Sequence, residues 1–254
     1  MIEFSGRTAL VSGSSRGIGA ATASRLAGLG ATVAVHYRAA RDAAEAVAAA
    51  LPGDGHMVVG ADVADPEAVA GMVERVVATL GGIDVLVNNA GIYARHPLDE
   101  TSYDAWRRAW HDVVATNLLG AANLTWCVAR HMIATGRDGH IVNVSSRGAF
   151  RGEPEHPAYG ASKAALNSMG QSLAQHLAPH GITVTTVAPG FVETDMAAAL
   201  LDGETGDAIR NQSPLGRVAT PDEIADIVAF LASDRAVIAT GTIVDANGAS
   251  YLRT

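Results

Sequence analysis

A tyrosine and a lysine spaced to share one helix face are the residues of this chain best suited to proton transfer. Tyr159 and Lys163 lie four residues apart, and Ser146 precedes them. On a helix, residues i and i+4 share a face, so the phenol and the ammonium group would point the same way. An ordinary tyrosine has a pKa of about 10, and a neighbouring cation lowers it by favouring the phenolate. The pattern therefore predicts a tyrosine that exchanges protons near neutral pH, with a serine hydroxyl to hold a carbonyl oxygen.

Short β-branched runs alternate with longer alanine-rich stretches along the chain. Strands are predicted at residues 8–12, 31–37, 56–61, 83–88, 140–144, 182–187 and 242–245. Helices are predicted at residues 17–29, 41–51, 66–80, 102–111, 113–135, 157–178 and 221–233. Apolar strands that alternate with helices imply right-handed crossovers and parallel strands covered on both faces. We therefore expect one α/β domain over residues 1–254, a doubly wound parallel sheet with helices on both faces.

Composition and charge narrow the classes of function. Of the 254 residues 48% are hydrophobic, which is enough for one large core. The formal net charge of −8 argues against nucleic acid and anionic membranes as partners. No apolar run approaches the roughly 18 residues of a membrane span. With a single cysteine, Cys127, and no visible secretory signal, we expect a cytoplasmic protein that acts on a small molecule, without a metal site.

A glycine-rich turn follows the first predicted strand and opens the first helix. Its spacing, Gly-x-x-x-Gly-x-Gly, differs from the Gly-x-Gly-x-x-Gly dinucleotide pattern but occupies the same place in a βαβ unit. Glycine lets the backbone approach a diphosphate, whose charge the helix N-terminus favours. The turn therefore predicts a dinucleotide site. The residues predicted to form it are Gly13, Ser15, Arg16, Gly17, Ile18 and Gly19.

The end of the second strand distinguishes NADP(H) from NAD(H). NAD sites place an acid there for the ribose 2′-hydroxyl, whereas an arginine accommodates the 2′-phosphate of NADP. Here the strand ends at Arg38, with no acid before Asp42. Arg16 could reach the same phosphate, and guanidinium binds phosphate bidentately. NADP(H) is therefore the predicted cofactor. NAD(H) is the alternative, with both arginines then solvated loop residues.

Polar and small residues close the third and fourth strands, at the edge where open sheets bind their ligands. Asp62 and Val63 close the third strand, where a carboxylate could accept a hydrogen bond from an adenine amino group. Asn89, Ala90 and Gly91 close the fourth, where small residues permit a close backbone approach. The competing explanations are a helix cap for Asp62 and turn chemistry for the asparagine.

Taken in this order, the motifs resemble those of the short-chain dehydrogenase/reductase (SDR) family over nearly the whole chain. The resemblance implies a catalytic set of Asn117, Ser146, Tyr159 and Lys163. Ser146, rather than Ser145, matches the family serine because it lies thirteen residues before the tyrosine. The implied reaction is hydride transfer between a nicotinamide and a carbonyl or secondary-alcohol carbon, with the tyrosine as proton donor or acceptor.

The resemblance also assigns roles to the other members of this set. Lys163 would lower the pKa of Tyr159 and bind the nicotinamide ribose, Ser146 would hold the carbonyl oxygen, and Asn117 would position a water. The segment that resembles the nicotinamide-holding part of the family contains Pro189, Gly190, Val192 and Thr194.

The family resemblance extends to the fold and the assembly. It implies a Rossmann fold with a seven-stranded sheet, and commonly a homotetramer built through helices near residues 113–135 and 157–178, or else a homodimer. The chain resembles 3-oxoacyl reductase-like members most. Members that act on acyl chains held by an acidic carrier protein present basic residues near the active-site entrance. The corresponding places here hold Arg137 and His180.

The substrate is what the sequence leaves open. Residues 195–216 are predicted to form a lid over it. Four side chains between the serine and the tyrosine either line the pocket or, as we favour, belong to a solvated loop: Arg147, Arg151, Glu153 and His156. We expect a ketone or 3-oxoacyl-type reductase. The alternatives are an NAD(H)-dependent alcohol, sugar or steroid dehydrogenase and, in another class, a non-catalytic NADP(H)-sensing or scaffold protein.

Overall fold

Seven parallel strands form one sheet in the order β3-β2-β1-β4-β5-β6-β7 in the computed structural model, which describes residues 2–198 and 200–253. In chain order the strands are β1 (Thr8–Val11), β2 (Thr32–Tyr37), β3 (Met57–Gly60), β4 (Val85–Asn88), β5 (Gly139–Val144), β6 (Ile182–Pro189) and β7 (Ile243–Ala246). The predicted doubly wound parallel sheet is confirmed, with its strand order reversing between β1 and β4. Residues 1 and 254 of the predicted domain, and residue 199 of the predicted lid, lie outside the described residues.

Helices cover both faces of the sheet. They are α1 (Gly17–Gly28), α2 (Arg41–Ala50), α3 (Pro66–Leu80), α4 (Tyr103–Val114), α5 (Gly120–Thr135), α6 (Gly148–Arg151), α7 (Pro157–Leu177), α8 (Asp195–Ala198), α9 (Gly203–Arg210) and α10 (Pro221–Leu231). One apolar cluster packs α1 and α10 against the sheet, and a second packs α3, α5 and α7 against the opposite face. Every residue of β4, β5 and β6 is buried, and most of their side chains are apolar.

Two segments differ from the prediction. The two helices expected at residues 102–111 and 113–135 are continuous, because α4 passes through a π-helical turn (Ala115–Leu119) into α5. A π turn inserts one extra residue into the helix, and such turns often occur at functional sites. The predicted lid, residues 195–216, in which no helix was predicted, contains α9, whose Ile209 packs with Leu201 and Val218 in a small apolar cluster.

Candidate active site

A cleft of about 340 Å³ opens at the carboxyl ends of the strands, beside the point where the strand order reverses. It joins the glycine-rich turn to the tyrosine–lysine pair. The predicted site residues that line it are Gly13, Ser15, Arg16, Gly17, Ile18, Arg38, Val63, Asn89, Ala90, Gly91, Ser146, Tyr159, Lys163, Pro189, Gly190, Val192 and Thr194. The other three, Gly19, Asp62 and Asn117, lie behind or beside the wall of the cleft.

The glycine-rich turn packs too closely on its neighbours to carry side chains. A Cβ atom on Gly13 would lie 2.9 Å from the Cα atom of Ala90, and one on Gly19 would collide with the carbonyl oxygen of Gly13. Gly13 and Gly17 also adopt positive φ angles, of 65° and 55°. The backbone is therefore exposed to the cleft directly before α1 begins, as a bound diphosphate requires.

His36 holds this turn from below, a role that sequence reasoning missed. The Gly13 amide donates to Nδ1 of His36 at 2.8 Å, and Nε2 donates to the Ala61 carbonyl at 3.1 Å. Burial lowers the pKa of His36, which keeps the ring neutral and able to accept at Nδ1. Because ligands of open sheets bind at the carboxyl ends of the strands, the position of His36 at this end of β2 could have predicted its contact with the turn.

The end of β4 is fastened to the same turn. Asn89 donates through Nδ2 to the carbonyl oxygens of Ser12 and Gly13, at 2.9 and 3.1 Å. Asp62 does not cap a helix, because the residue that caps α3 is Asp65. The Oδ1 atom of Asp62 accepts a hydrogen bond from the Ala64 amide at 3.0 Å. The contact of Asp62 with adenine stays a prediction.

Tyr159 and Lys163 lie in the first two turns of α7 and share the predicted face. The Lys163 Nζ atom is 5.7 Å from the centre of the Tyr159 ring and donates to the Val144 carbonyl, at the end of β5, at 2.8 Å. Ser145 donates to the Lys163 carbonyl at 3.2 Å, so its hydroxyl is engaged with the backbone of α7. Both serines line the cleft, and the Ser146 hydroxyl accepts a hydrogen bond from the Gly148 amide at 3.0 Å.

The pKa of Tyr159 shifts in the direction opposite to the prediction. Burial raises the pKa of Tyr159 to about 12, although a hydrogen bond with Ser146 lowers it. Burial also lowers the pKa of Lys163 to about 8. Both groups are driven towards their neutral forms because the surrounding protein replaces water. In the protein alone, Lys163 therefore does not lower the pKa of Tyr159 below its ordinary value.

The side chain of Asn117 braces the loop that follows β4. Its Oδ1 accepts from the Ile92 amide at 2.8 Å, while Nδ2 donates to the Ile92 carbonyl at 3.0 Å and to Ser162 Oγ at 3.2 Å. Both amide hydrogens are therefore used within the protein. A water held by Asn117 would have to bind its main chain, in the π-helical turn.

Tyr93, a residue that sequence reasoning missed, lines the cleft together with Glu153. Its ring stacks on His156 with centroids 3.6 Å apart and meets Tyr159 edge to face at 4.7 Å. Tyr93 follows the Asn-Asn-Ala-Gly motif by two residues, so the sheet-edge reasoning applied to that motif could have found it. Glu153 is half-buried and lines the cleft.

The solvated-loop interpretation is wrong for three of the four side chains between the serine and the tyrosine, because Glu153 and Arg147 line the cleft and His156 is buried. His156 is buried under Tyr93. Arg147 is 4% exposed and donates to Ser250 Oγ at 2.5 Å and to Gln212 Oε1 at 2.8 Å. Arg151 is exposed, as predicted, and reaches the same Gln212 oxygen at 3.2 Å.

Three further arginines divide between the two edges of the sheet: Arg16 and Arg38 lie at the carboxyl edge and Arg137 at the amino edge. Arg16 and Arg38 line the cleft and are exposed, and their side chains form no hydrogen bond or ion pair within residues 2–198 and 200–253. Arg137 lies instead at the amino ends of β4 and β5, where it binds Asp84 Oδ1 at 2.8 Å. It is therefore not a basic residue at the entrance of this cleft.

Comparison with known proteins identifies the family. A family model described as enoyl-(acyl carrier protein) reductase matches residues 13–248. The 3-oxoacyl-[acyl-carrier-protein] reductase FabG of Staphylococcus aureus is 40% identical over 97% of this chain and 98% of its own length. FabG of Escherichia coli is 39% identical over 99% of this chain and 100% of its own length. The structure of a dehydrogenase/reductase from Sinorhizobium meliloti 1021 superposes with a TM-score of 0.88 at 35% identity, covering 98% of this chain and 97% of that one. The chain is therefore an oxidoreductase and belongs to the short-chain dehydrogenase/reductase family.

Proposed function

We propose that this protein is an NADP(H)-dependent reductase of ketones or 3-oxoacyl-type substrates, with Tyr159 as proton donor in reduction and acceptor in oxidation. The observation that carries the proposal is the meeting of Ser146, Tyr159 and Lys163 with the glycine-rich turn in one cleft. The names of the FabG relatives support carbonyl reduction, while the family description refers to enoyl groups. The tyrosine–lysine pair favours the carbonyl, whose oxygen takes up a proton.

The cleft fits a nicotinamide dinucleotide at its glycine end. The turn after β1 presents bare backbone at the start of α1, and side chains at Gly13 or Gly19 would destroy its packing. When bound, the cofactor supplies or accepts the hydride. The protein orients the substrate and moves the proton.

Each catalytic side chain has a task that its surroundings support. With a pKa of about 12, Tyr159 is protonated at neutral pH and ready to donate to a developing alkoxide. Ser146 supplies a hydrogen bond to the same oxygen as charge develops there. Lys163, on the same face, stabilises the phenolate left behind when it carries its proton.

Substitution of the tyrosine tests the reaction. In Tyr159→Phe the proton donor is lost while the shape of the cleft is kept, so turnover should fall by about a hundredfold or more. NADPH binding, followed by its fluorescence, should change little because the phenyl ring preserves the contact with Tyr93. Near-wild-type oxidation of NADPH by this variant on a ketone panel would contradict the proposal.

The preference for NADP(H) rests on the two exposed arginines at the cleft. The side chains of Arg16 and Arg38 form no hydrogen bond or ion pair with the described parts of the chain, so they are available for a 2′-phosphate. Asp42 does not line the cleft. In Arg16→Ala/Arg38→Ala the ratio of kcat/KM for NADPH over NADH should fall by about tenfold or more. A wild-type protein that prefers NADH would refute this part of the proposal.

The proposal includes a lid and an assembly. Met196, Ala197 and Leu200, from the segment predicted as the lid, line the cleft, and α9 packs near Ala197 and Leu200 through the small apolar cluster. We propose that residues 195–216 close over the substrate.

We also propose a cytoplasmic homotetramer or homodimer, supported by the exposed Leu119 and Trp126 on the helices expected at the interface. No helix in residues 2–198 or 200–253 meets the length and apolarity needed to cross a membrane.

A further inference from the structure

The carboxyl group of Glu153 lies in the cleft, close to the proposed proton donor. Glu153 and Tyr159 line the same cleft. Its Oε2 atom is 3.5 Å from the hydroxyl of Tyr93, whose ring touches Tyr159 edge to face. Glu153 also acts electrostatically on Tyr159, so the carboxyl group and the proposed proton donor lie close together in the cleft.

Two glycines fix the carboxyl group in this place. A Cβ atom on Gly148 would lie 2.6 Å from Oε1 and 2.8 Å from Cγ of Glu153. At Gly160, in the first turn of α7, a Cβ atom would lie 3.1 Å from the Gly148 carbonyl and 3.9 Å from the same Cγ. The loop and the helix thus come together only because both positions lack a side chain, and the carboxyl group fills the space.

The carboxyl group of Glu153 forms few hydrogen bonds and no ion pair within the described residues. Its one hydrogen bond within the described residues is the long contact with Tyr93. No ion pair forms with Arg147 or Arg151, although both lie near enough to oppose the rise in the Glu153 pKa that burial causes. The carboxylate also raises the pKa of Tyr159, so it works against the phenolate. A hydrogen-bond donor on the substrate would use the free lone pairs and offset that effect.

We propose that Glu153 binds substrate by accepting a hydrogen bond from a hydroxyl group close to the reacting carbonyl. The substrates are then hydroxylated ketones and the corresponding polyols, an inference that rests on the proposed reductase function. Arg147 and Arg151 disfavour an ammonium group at this place, and the carboxylate disfavours a second carboxylate. The donor is therefore a neutral group, and a hydroxyl beside the carbonyl is the donor that we propose.

Paired substrates separate this inference from the reaction itself. We would measure kcat/KM for 3-hydroxybutan-2-one against butan-2-one, and for hydroxyacetone against acetone, with acetoacetate as a charged comparison. Glu153→Leu removes the acceptor, Glu153→Gln keeps a neutral one, and Glu155→Gln is the matched control. Glu155 lies two residues further along, is 52% exposed at its side chain and pairs with Arg95 outside the cleft.

Wild-type protein and Glu155→Gln should favour each hydroxylated ketone by about ten- to hundredfold, and Glu153→Leu should lose that preference. Glu153→Gln should keep part of it. A change in the Tyr159 pKa would affect both members of a pair, so the ratio reports the hydroxyl contact alone. Turnover with an unchanged ratio in Glu153→Leu, or a wild type that prefers the plain ketones or acetoacetate, would overturn the inference while leaving the reductase intact. Silence on the whole panel would overturn this inference, whereas the reductase would be overturned only if 3-oxoacyl thioesters were also left unreduced.

Discussion

Burial decides the chemistry of single residues in this site more than neighbouring charge does. The spacing of Tyr159 and Lys163 correctly predicted a shared helix face. It could not predict the direction of their pKa shifts, because the atoms that exclude water come from β5 and from the loop after β4, far away in sequence. For the same reason the burial of Arg147 was missed: its partners, Gln212 and Ser250, lie in distant segments.

Lys163 is the only lysine in the sequence, so its titration can be observed directly. We expect the side-chain NMR signal of isotopically labelled lysine to be a single resonance that titrates near pH 8, because burial disfavours the ammonium form. The unfolded chain releases this proton only near pH 10.5, so between these values the unfolded state binds more protons. The contribution of Lys163 to the free energy of unfolding should therefore rise with pH in that window. A titration at the ordinary lysine pKa would contradict the burial effect.

At the scale of elements, the sequence predicted the sheet well and the loops at its carboxyl edge less well. The strands are read easily because burial on both faces requires nearly continuous apolar runs, as in β4 and β5. The π-helical turn has no such pattern, since Ala115–Leu119 consists of ordinary helix residues. α9 was missed because its glycines suggest a loop, while the apolar contacts that hold Ile209 come from segments before and after it.

The glycine-rich turn offers a matched pair of substitutions within one helix. Gly19→Ala places a methyl group against the Gly13 carbonyl, so the turn must shift and the dissociation constant for NADPH should rise by about tenfold or more. Gly28→Ala, at the far end of α1, meets no atom within 4 Å. It should leave NADPH binding unchanged and raise stability by about 0.5–1 kcal/mol. Titration of NADPH fluorescence and thermal unfolding measure both effects, and equal NADPH affinities would show that the turn tolerates the added group.

The whole molecule carries exposed apolar side chains on the helices expected to form subunit contacts. Trp126 is 66% and Leu119 is 52% exposed, on α5 and the π-helical turn. Large apolar groups gathered on one surface commonly mark protein–protein contacts. The net charge of −8 gives copies of the chain a mutual repulsion that such contacts must overcome.

A charge placed in this surface tests the assembly. We expect Trp126→Glu to lower the mass measured by light scattering after size-exclusion chromatography, because a buried, unpaired carboxylate opposes association. Tyr103→Glu is the control, since Tyr103 is a similarly exposed aromatic residue on α4, outside the helices expected to associate. A monomeric wild type, or a Trp126→Glu variant with unchanged mass, would contradict the predicted interface.

The reversal of strand order between β1 and β4 also has a consequence for synthesis of the chain. The Ser12 hydroxyl donates to the Val87 carbonyl across 75 residues of sequence, and the residues of the proposed dinucleotide site extend to Thr194, which follows β6. A nascent chain that ends before Thr194 therefore lacks part of the proposed site. The stabilisation that a bound cofactor gives to a folded protein therefore becomes available only after three quarters of the polypeptide has left the ribosome, and the earlier strands must avoid aggregation without it.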